Sequence, residues 1–272
     1  MPRFSLLAGL SLAFIATGPA AAESLPAPVR IPLAIEHGLP TARAMLGGKP
    51  LSLILDLGNY QVVGLKTAVL DMLPVTFPGD VERYRDASGQ VLTSRIYHAT
   101  ELRAGGLHVG QFDGNELAGD PGYPQDGLIG FGLLRRYQLV FDYPKGELRL
   151  YPAAAKGVLR RECGGAGGPV SEEGGVLVST VQTEYGPLRF QWDTGAATSV
   201  LRPSAVLKRV PDVDLLRRLT FTRFDVASRQ AGPQRLVMRE FAAPDVDGVL
   251  GTNFFAARVV CFDFTRHRVA FH

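Results

Sequence analysis

An internal repeat constrains the fold of this chain more than any other feature of its sequence. Residues 53–59 (LILDLGN) and 190–196 (FQWDTGA) both run from an apolar stretch into Asp-x-Gly. A second block, Asp-Gly-apolar-apolar-Gly, occurs at 126–130 and again at 247–251, and another aspartate follows it at the same distance in both copies, at 142 and at 263. Matched motifs at matched spacing predict two related lobes that pack with pseudo-two-fold symmetry.

Short strands dominate both copies, so the expected fold class is all-β. The chain contains 31 glycines and 19 prolines among 272 residues, which favours many tight turns between strands. We place the first lobe at 28–152 and the second at 170–272. The linker between them, 153–169, contains the run GGAGGP and has no hydrophobic periodicity.

Helices are expected to be few and short. We place them at 67–73, at 203–210 and directly after Gly130 and Gly251. The stretch between the two motifs is longer in the first copy, where it runs from 56 to 126, than in the second, where it runs from 193 to 247. We expect the extra residues of the first copy to lie around 101–123, where glycines and loop-forming residues are frequent.

The N-terminal segment, 1–22, is typical of a secretory signal. Arg3 supplies the positive charge, 5–17 form a short apolar stretch, and 20–22 (AAA) provide the small residues of a cleavage site. We therefore expect an exported protein, periplasmic or secreted, with no membrane span after cleavage. In an oxidising compartment Cys163 and Cys261 are able to form a disulfide, which we expect; two buried free thiols are the alternative.

Composition and motifs argue against several other functions. The formal net charge of +3 gives no reason to expect a nucleic-acid partner. Two cysteines are too few for a four-thiolate zinc site, and the five histidines show no His-Glu-x-x-His spacing. The sequence has no Gly-x-Ser-x-Gly elbow, and 130–132 (GFG) lacks the third glycine of a dinucleotide-binding loop.

The stretch apolar-apolar-Asp-Thr-Gly-Ala, followed later by apolar-apolar-Gly, resembles the aspartic protease superfamily of pepsin-like and retropepsin-like enzymes. The resemblance is closest to bacterial exported proteins with two tandem retropepsin-like lobes, and it covers most of the mature chain. It implies two pseudo-symmetric β-barrel lobes with a cleft between them. Asp56 and Asp193 would form the catalytic pair, one as base on a bound water and the other as acid on the scissile carbonyl, without a metal or other cofactor.

The resemblance also assigns the residues around this pair. The active-site loops would comprise Leu57, Gly58 and Asn59 in the first copy and Thr194, Gly195 and Ala196 in the second. Leu57 departs from the family, which usually has a hydroxyl residue there that links the two loops. We expect the amide of Asn59 to donate to Asp56. The remaining aspartates of the repeat, Asp126, Asp142, Asp247 and Asp263, would be structural.

A hairpin over the cleft is a further feature that the resemblance implies. Residues 86–90 (DASGQ) lie downstream of Asp56 between two strand-like segments. The candidate residues of this flap are Tyr84, Ser88 and Gly89. An ordinary surface hairpin is the alternative interpretation.

Three functions remain in view. The first is an exported aspartic endopeptidase that acts as a monomer on peptide or protein substrate in an extended conformation. The second is a pseudo-protease that binds extended peptide in the cleft without cleaving it, and Leu57 favours this alternative. The third is a structural protein that uses the lobes as a scaffold.

Overall fold

The computed structural model describes residues 25–85, 89–119, 122–207, 218–242 and 245–272. Short strands occupy most of this part of the chain, because short apolar and β-branched stretches alternate with tight turns. The strands of the first half are β1 (Val29–Pro32), β2 (Ala34–Glu36), β3 (Leu39–Leu46), β4 (Lys49–Asp56), β5 (Val63–Lys66), β6 (Val81–Arg85), β7 (Val91–Ala99), β8 (Leu102–Ala104), β9 (Leu107–Val109), β10 (Phe112–Leu117), β11 (Gly127–Gly130), β12 (Tyr137–Asp142) and β13 (Glu147–Pro152).

The second half repeats this pattern with slightly shorter strands. They are β14 (Gly168–Pro169), β15 (Ser171–Glu173), β16 (Val176–Thr183), β17 (Gly186–Trp192), β18 (Val200–Leu201), β19 (Arg218–Phe221), β20 (Phe224–Val226), β21 (Arg229–Gln230), β22 (Gln234–Met238), β23 (Gly248–Leu250), β24 (Val259–Asp263) and β25 (Arg268–Phe271). The helices in the described residues are α1 (Thr67–Leu70), α2 (Phe131–Leu134), α3 (Val158–Cys163), α4 (Ser204–Leu207) and α5 (Thr252–Phe255). The predicted all-β class with short helices is confirmed.

The strands form three sheets, one in each lobe and one between them. The first-lobe sheet has the order β6-β7-β10-β5-β11-β4-β3-β8-β9, with β2 paired to β3. The second-lobe sheet has the order β19-β22-β18-β23-β17-β16-β20-β21, with β15 paired to β16. The two orders match strand for strand from β7 and β19 onward, so the repeat in the sequence corresponds to a repeat in the topology.

The third sheet, which we call the interlobe sheet, joins the two lobes. Its order is β1-β13-β12-β24-β25-β14, so each half of the chain contributes three strands. The pseudo-two-fold axis passes between β12 and β24, which pair antiparallel with Leu139 opposite Phe262 and Phe141 opposite Val260. Side chains on one face of this sheet enter the main apolar core, which extends through both lobes.

Asp142 and Asp263 close the turns that follow the two central strands of the interlobe sheet. Asp142 accepts a hydrogen bond from the backbone N–H of Lys145 at 3.1 Å, and Asp263 accepts one from Arg266 at 3.0 Å. Both carboxylates are also paired with an arginine. Asp142 and Asp263 therefore have a structural role at the ends of β12 and β24.

The extra length of the first copy is in the segment that contains the hairpin of β6 and β7, and our placement of it around 101–123 was wrong. The stretch from Asp56 to the start of β8 at Leu102 is longer than the corresponding stretch from Asp193 to the start of β20 at Phe224. This difference accounts for nearly all of the extra length, which therefore precedes β8. The turn-rich composition around 101–123 reflects the β8–β9 hairpin, which has a full counterpart in β20–β21.

The segment predicted as a linker contains a helix and a strand. Helix α3 packs on the opposite face of the interlobe sheet in a second apolar cluster, and β14 pairs with β25. Gly157 and Gly164 flank α3 with φ of 77° and 69°, a left-handed conformation that glycine adopts readily and that terminates helices. The glycine-rich composition concealed this helix.

Two other predictions extend beyond the residues that the structure describes. The predicted helix at 203–210 corresponds to α4, and its last three positions lie outside the described residues, as does the predicted signal at 1–22. The helix predicted at 67–73 is confined to α1. Among the helices that the structure describes, none is long and apolar enough to cross a membrane.

A disulfide joins Cys163 to Cys261, the pairing expected from the sequence. It connects the end of α3 to the central strand β24, with the two Cα atoms 6.2 Å apart and a sequence separation of 98. Both cysteines are almost completely buried. In the chain-entropy model, a bond that closes a loop of this length destabilises the unfolded state by about 4.7 kcal/mol.

We therefore expect reduction to lower the stability of the protein. The guanidinium midpoint of the wild type should fall when a reductant is added, whereas that of the Cys163→Ala/Cys261→Ala double variant should be low and insensitive to reductant. Thiol titration of the denatured, non-reduced wild type should find no free thiol. Two titratable thiols, or equal midpoints with and without reductant, would contradict this expectation.

Candidate active site

Two neighbouring strands in each lobe deliver an aspartate to the interface between the lobes. Asp56 is the last residue of β4, and Asp193 directly follows β17. The motif strands β11 and β23 run parallel to β4 and β17 and pair with their last residues. A backbone hydrogen bond from Asp193 to Leu250, of 3.0 Å, ties the second aspartate to β23. Each aspartate therefore leaves a strand that is paired on both sides, which fixes its position.

The glycine after each aspartate packs against the carboxyl group of the opposite one. A Cβ atom placed on Gly58 would overlap the carboxyl group of Asp193, and one placed on Gly195 would overlap that of Asp56. Only glycine allows this approach, because any side chain would occupy the space of the carboxylate. The two aspartates thus face each other across the pseudo-two-fold axis.

Backbone N–H groups surround both carboxylates in matching positions. Gly58 donates to Asp56 Oδ1 at 2.8 Å, and Gly195 donates to Asp193 Oδ1 at 2.9 Å. The backbone N–H of Asn59 also hydrogen-bonds to Asp56. The side chain of Asn59 instead accepts a bond from the backbone N–H of Gln61 at 2.9 Å, so the donor to Asp56 is the backbone N–H of Asn59 and not the expected side-chain amide.

The environment separates the proton affinities of the two carboxyl groups. Burial raises the pKa of both above the usual range of aspartate. For Asp193 the negative charge of Asp56 raises the pKa further, whereas three backbone N–H groups, from Gly58, Asn59 and Gly195, lower that of Asp56. A hydrogen bond between the two side chains adds to the difference in the same direction. The two carboxyl groups therefore share one proton, and these contacts favour Asp56 as the ionised member.

A single hydroxyl links the two loops. Thr194 Oγ1 accepts a bond from the backbone N–H of Leu57 at 2.9 Å and donates to the carbonyl of Leu55 at 2.7 Å. The Thr194 hydroxyl is fully buried, and both of its partners are backbone groups of the opposite lobe. Leu57 has no hydroxyl to form the symmetric pair of bonds, and its side chain lies fully buried in the main apolar core. The loops are therefore joined on one side by polar contacts and on the other by apolar packing.

Asp126 and Asp247 support the strands behind the loops. Asp126 accepts a bond from the backbone N–H of Ser52 at 2.7 Å, and Asp247 accepts one from Arg189 at 2.8 Å. The backbone N–H groups of both aspartates donate to the same two residues in return. These reciprocal bonds fix the register of the motif strands β11 and β23. They agree with the structural role that the resemblance implied for Asp126 and Asp247.

Two tyrosines beside the aspartates were not predicted from the sequence. Burial raises the pKa of both Tyr123 and Tyr143; the charge of Asp56 contributes for Tyr123, and that of Asp193 for Tyr143. Their hydroxyl oxygens are buried and have no hydrogen-bond partner among the described residues. Tyr123 lies outside any motif, and Tyr143 follows the repeated Asp142 at the position that Phe264 occupies in the second copy, where an aromatic residue indicates only core packing.

The hairpin of β6 and β7 reaches from the first lobe to the second. Gly89, with φ of +89°, lies so close to Ala242 that a Cβ on it would be 3.1 Å from the Cβ of Ala242. Tyr84 lies near enough to Tyr60 and Tyr123 to influence the pKa of each. Ser88, the third flap candidate, lies outside the described residues.

The structure thus brings most of the predicted site residues together. The eight that meet between the lobes are Asp56, Leu57, Gly58, Asn59, Asp193, Thr194, Gly195 and Ala196. Tyr84 and Gly89 lie on the hairpin that borders this place, whereas the two cysteines lie apart, behind the interlobe sheet.

Comparison with known proteins identifies the fold. No family model and no curated protein sequence matches the chain. Among solved structures, the chain is similar to an aspartic proteinase from Irpex lacteus, with a TM-score of 0.62 and 12% identity over 90% of this chain and 97% of that one. It is also similar to basic 7S globulin from soybean, with a TM-score of 0.57 and 11% identity over 90% and 94% of the two chains. The chain has a pepsin-like fold, as the resemblance in its sequence implied.

The raised pKa values predict how the pair affects stability as a function of pH. A folded-state pKa above the unfolded value stabilises the fold at low pH, and this contribution is lost as pH rises from about 4 through the folded-state values. Asp193→Asn has no ionisable group at 193, so its stability lacks the part of this pH-dependent loss that Asp193 contributes. The free energy of unfolding of Asp193→Asn, relative to wild type, should therefore increase between about pH 4 and pH 7, by at most about 1.4 kcal/mol per pH unit for each proton involved.

Denaturant unfolding at each pH measures this difference. Asp80→Asn, which changes an exposed aspartate outside the site, is the matched control and should give a nearly constant difference. A constant difference for Asp193→Asn as well would contradict the raised pKa values of the pair.

Proposed function

We propose that this protein is an exported aspartic endopeptidase that hydrolyses peptide bonds in extended polypeptide. The observation that carries the proposal is the pair of aspartates, each packed against the glycine of the opposite loop, with one proton between them. The similarity in fold to an aspartic proteinase supports it. The geometry requires no covalent nucleophile, because water is the attacking group.

The different proton affinities assign the two roles. Asp56, the ionised member, accepts a proton from a bound water as the water oxygen attacks the scissile carbonyl carbon. Asp193, the protonated member, donates its proton to the carbonyl oxygen, so that a neutral tetrahedral diol forms. As the C–N bond breaks, Asp56 returns its proton to the leaving nitrogen and Asp193 takes back the proton of one hydroxyl. The pair ends in its starting state, and the water is divided between the two products.

The cleft between the lobes suits an extended chain. The β6–β7 hairpin of the first lobe approaches Ala242 of the second lobe, so the hairpin extends across the boundary between the lobes. A peptide in the extended conformation would lie along this hairpin through main-chain hydrogen bonds. Because one chain supplies both aspartates, we propose that the protein acts as a monomer.

Export is the second part of the proposal. The signal-like sequence at 1–22 supports it, and the disulfide is consistent with folding in an oxidising compartment. Periplasmic or secreted location follows from both. Cell fractionation of the full-length chain tests this part: the processed protein should appear outside the cytoplasm and begin close to residue 23.

A pseudo-protease that binds extended peptide without cleaving it is the alternative function. Leu57 favours it, because half of the polar linkage between the loops is missing. The soybean protein of similar fold is named a globulin, and this name states no enzymatic activity. Both functions use the same cleft, and cleavage separates them.

Under the enzyme proposal, Asp193→Asn and Asp56→Asn should each abolish cleavage, a loss of about 10³-fold or more. The wild type should show a bell-shaped pH profile whose maximum lies between the two raised pKa values of the pair, about 6 and about 8. At low pH both aspartates are protonated and no base remains; as pH rises past the raised pKa of the pair, the acid is lost. An unbiased peptide library incubated across pH measures both effects, with Asp113→Asn as a control away from the site. If Asp193→Asn cleaves as fast as wild type, the assignment of the pair is wrong.

Leu57→Thr tests the asymmetry of the loops. By pseudo-symmetry, a hydroxyl at 57 would face the backbone of Thr194 and Trp192, and we expect cleavage to be maintained or increased. The variant should also lose about 1–3 kcal/mol of stability, because a buried leucine is shortened. Leu57→Val is the matched control, since valine has the shape of threonine without the hydroxyl. Cleavage only in Leu57→Thr, with none in wild type or Leu57→Val at any pH, would support the pseudo-protease alternative.

A further inference from the structure

A glutamate on the first strand of the hairpin hydrogen-bonds to the loop that carries Asp56. Asn115 Nδ2 donates to Glu82 Oε2 at 2.8 Å, and the phenol of Tyr60 donates to the same carboxylate. Asn115 is buried and Glu82 is half-buried, so their bond is partly shielded from water, whereas Tyr60 is exposed. Burial and the contact with Glu82 together raise the pKa of Tyr60 to about 12.

Tyr60 occupies a junction of three parts of the molecule. It follows Asp56 closely in the chain, in the segment that also holds Gln61, whose carbonyl accepts a bond from Gly132 behind the loop. The side chain of Tyr60 lies close to Gly175, in the turn between β15 and β16 of the second lobe, since a Cβ on Gly175 would be 3.3 Å from the Cβ of Tyr60. Its hydroxyl reaches Glu82 on β6. A single side chain therefore connects the loop, the hairpin and the second lobe.

Glu82 is placed to determine where Tyr84 lies. The two residues are separated by one position on β6, so their side chains project from the same face of the strand. That face is directed toward the loop, because Glu82 contacts Tyr60, and Tyr84 influences both Tyr60 and Tyr123. Asn115 adds a second anchor from β10, which pairs with β5 and β7 inside the lobe.

We infer that Glu82 is a positioning residue: through Tyr60 and Asn115 it holds β6 against the loop of Asp56 and sets the position of Tyr84 beside the cleft. The inference rests on the proposed function for its effect on peptide, but the arrangement of β6 does not depend on catalysis. Nothing in the sequence marks this contact, since Tyr60, Glu82 and Asn115 lie far apart in the chain and share no motif.

Amide hydrogen exchange tests the arrangement directly. In Glu82→Ala the amides of 81–84 and 91–95 should exchange about tenfold faster than in wild type, because the loss of both hydrogen bonds frees the outer strand. Tyr60→Phe should give a smaller increase, and the double variant should exchange no faster than Glu82→Ala alone. Glu82→Gln, which retains an acceptor oxygen for Tyr60, should restore most of the protection.

Two matched controls separate this effect from a general loss of stability. Glu184→Ala removes a carboxylate of the second lobe that accepts hydrogen bonds from two backbone N–H groups, as Glu82 accepts them from two side chains. Tyr137→Phe removes a phenol hydroxyl at the start of β12, outside the hairpin. Neither should change exchange at 81–84 or 91–95.

Peptide kinetics give the second measurement. Glu82→Ala and Tyr60→Phe should raise KM for a cleaved peptide by about tenfold while kcat changes less than threefold, because positioning and not proton transfer is affected. If wild type does not cleave but exchange accelerates as described, the role of Glu82 stands and the protease proposal fails. If wild type cleaves and Glu82→Ala leaves both exchange and KM unchanged, the inference about Glu82 is wrong.

Discussion

The mutual packing of two half-sites is the constraint on which this structure depends. Each carboxyl group lies where a side chain on the opposite glycine would otherwise be, so the two loops pack directly against each other. The reciprocal backbone bonds of Asp126 and Asp247 fix the strands within each lobe, and the pairing of β12 with β24 holds the two halves together. Because two buried carboxylates cannot both be ionised at moderate cost, the same packing also creates the shared proton.

Small departures from symmetry make the two aspartates of the pair unequal. A perfectly symmetric pair would have no preferred site for the proton. Here three backbone N–H groups lower the pKa of Asp56 and two lower that of Asp193, while the charge of Asp56 raises the pKa of Asp193. The hydroxyl of Thr194 joins the loops from one side only, and Leu57 fills the equivalent space with an apolar side chain. The duplication supplies the geometry, and the differences between the copies make the environments of the two carboxyl groups unequal.

The sequence was informative where the structure is repeated and uninformative where it is not. The lobes, the two aspartates and the motif strands follow from matched motifs at matched spacing, since a repeated motif implies a repeated topology. The location of the extra residues was misjudged because turn composition is the same in a hairpin that has a counterpart and in one that lacks it. Helix α3 was missed because the glycines that terminate it resemble those of a linker.

Contacts between distant positions were also beyond the reach of the sequence. Tyr60, Glu82 and Asn115 meet only once β6 has folded over the loop, and Tyr123 and Tyr143 approach the aspartates from two different loops. Local patterns report propensity and burial, and they carry no signal for a side chain whose partner lies on another element.

The interlobe sheet shows how unequal the two lobes are as halves of a symmetric pair. Because the pseudo-two-fold axis runs between β12 and β24, each lobe on its own would present a self-complementary strand edge, the arrangement from which a symmetric dimer is built. The two lobes are unequal in this respect. Two copies of the second lobe would carry two Thr194 hydroxyls and form the linkage between loops twice, whereas two copies of the first would carry two leucines and form none. The pairing of two unequal lobes in one chain therefore forms this linkage once, with Thr194 as the side chain that supplies it.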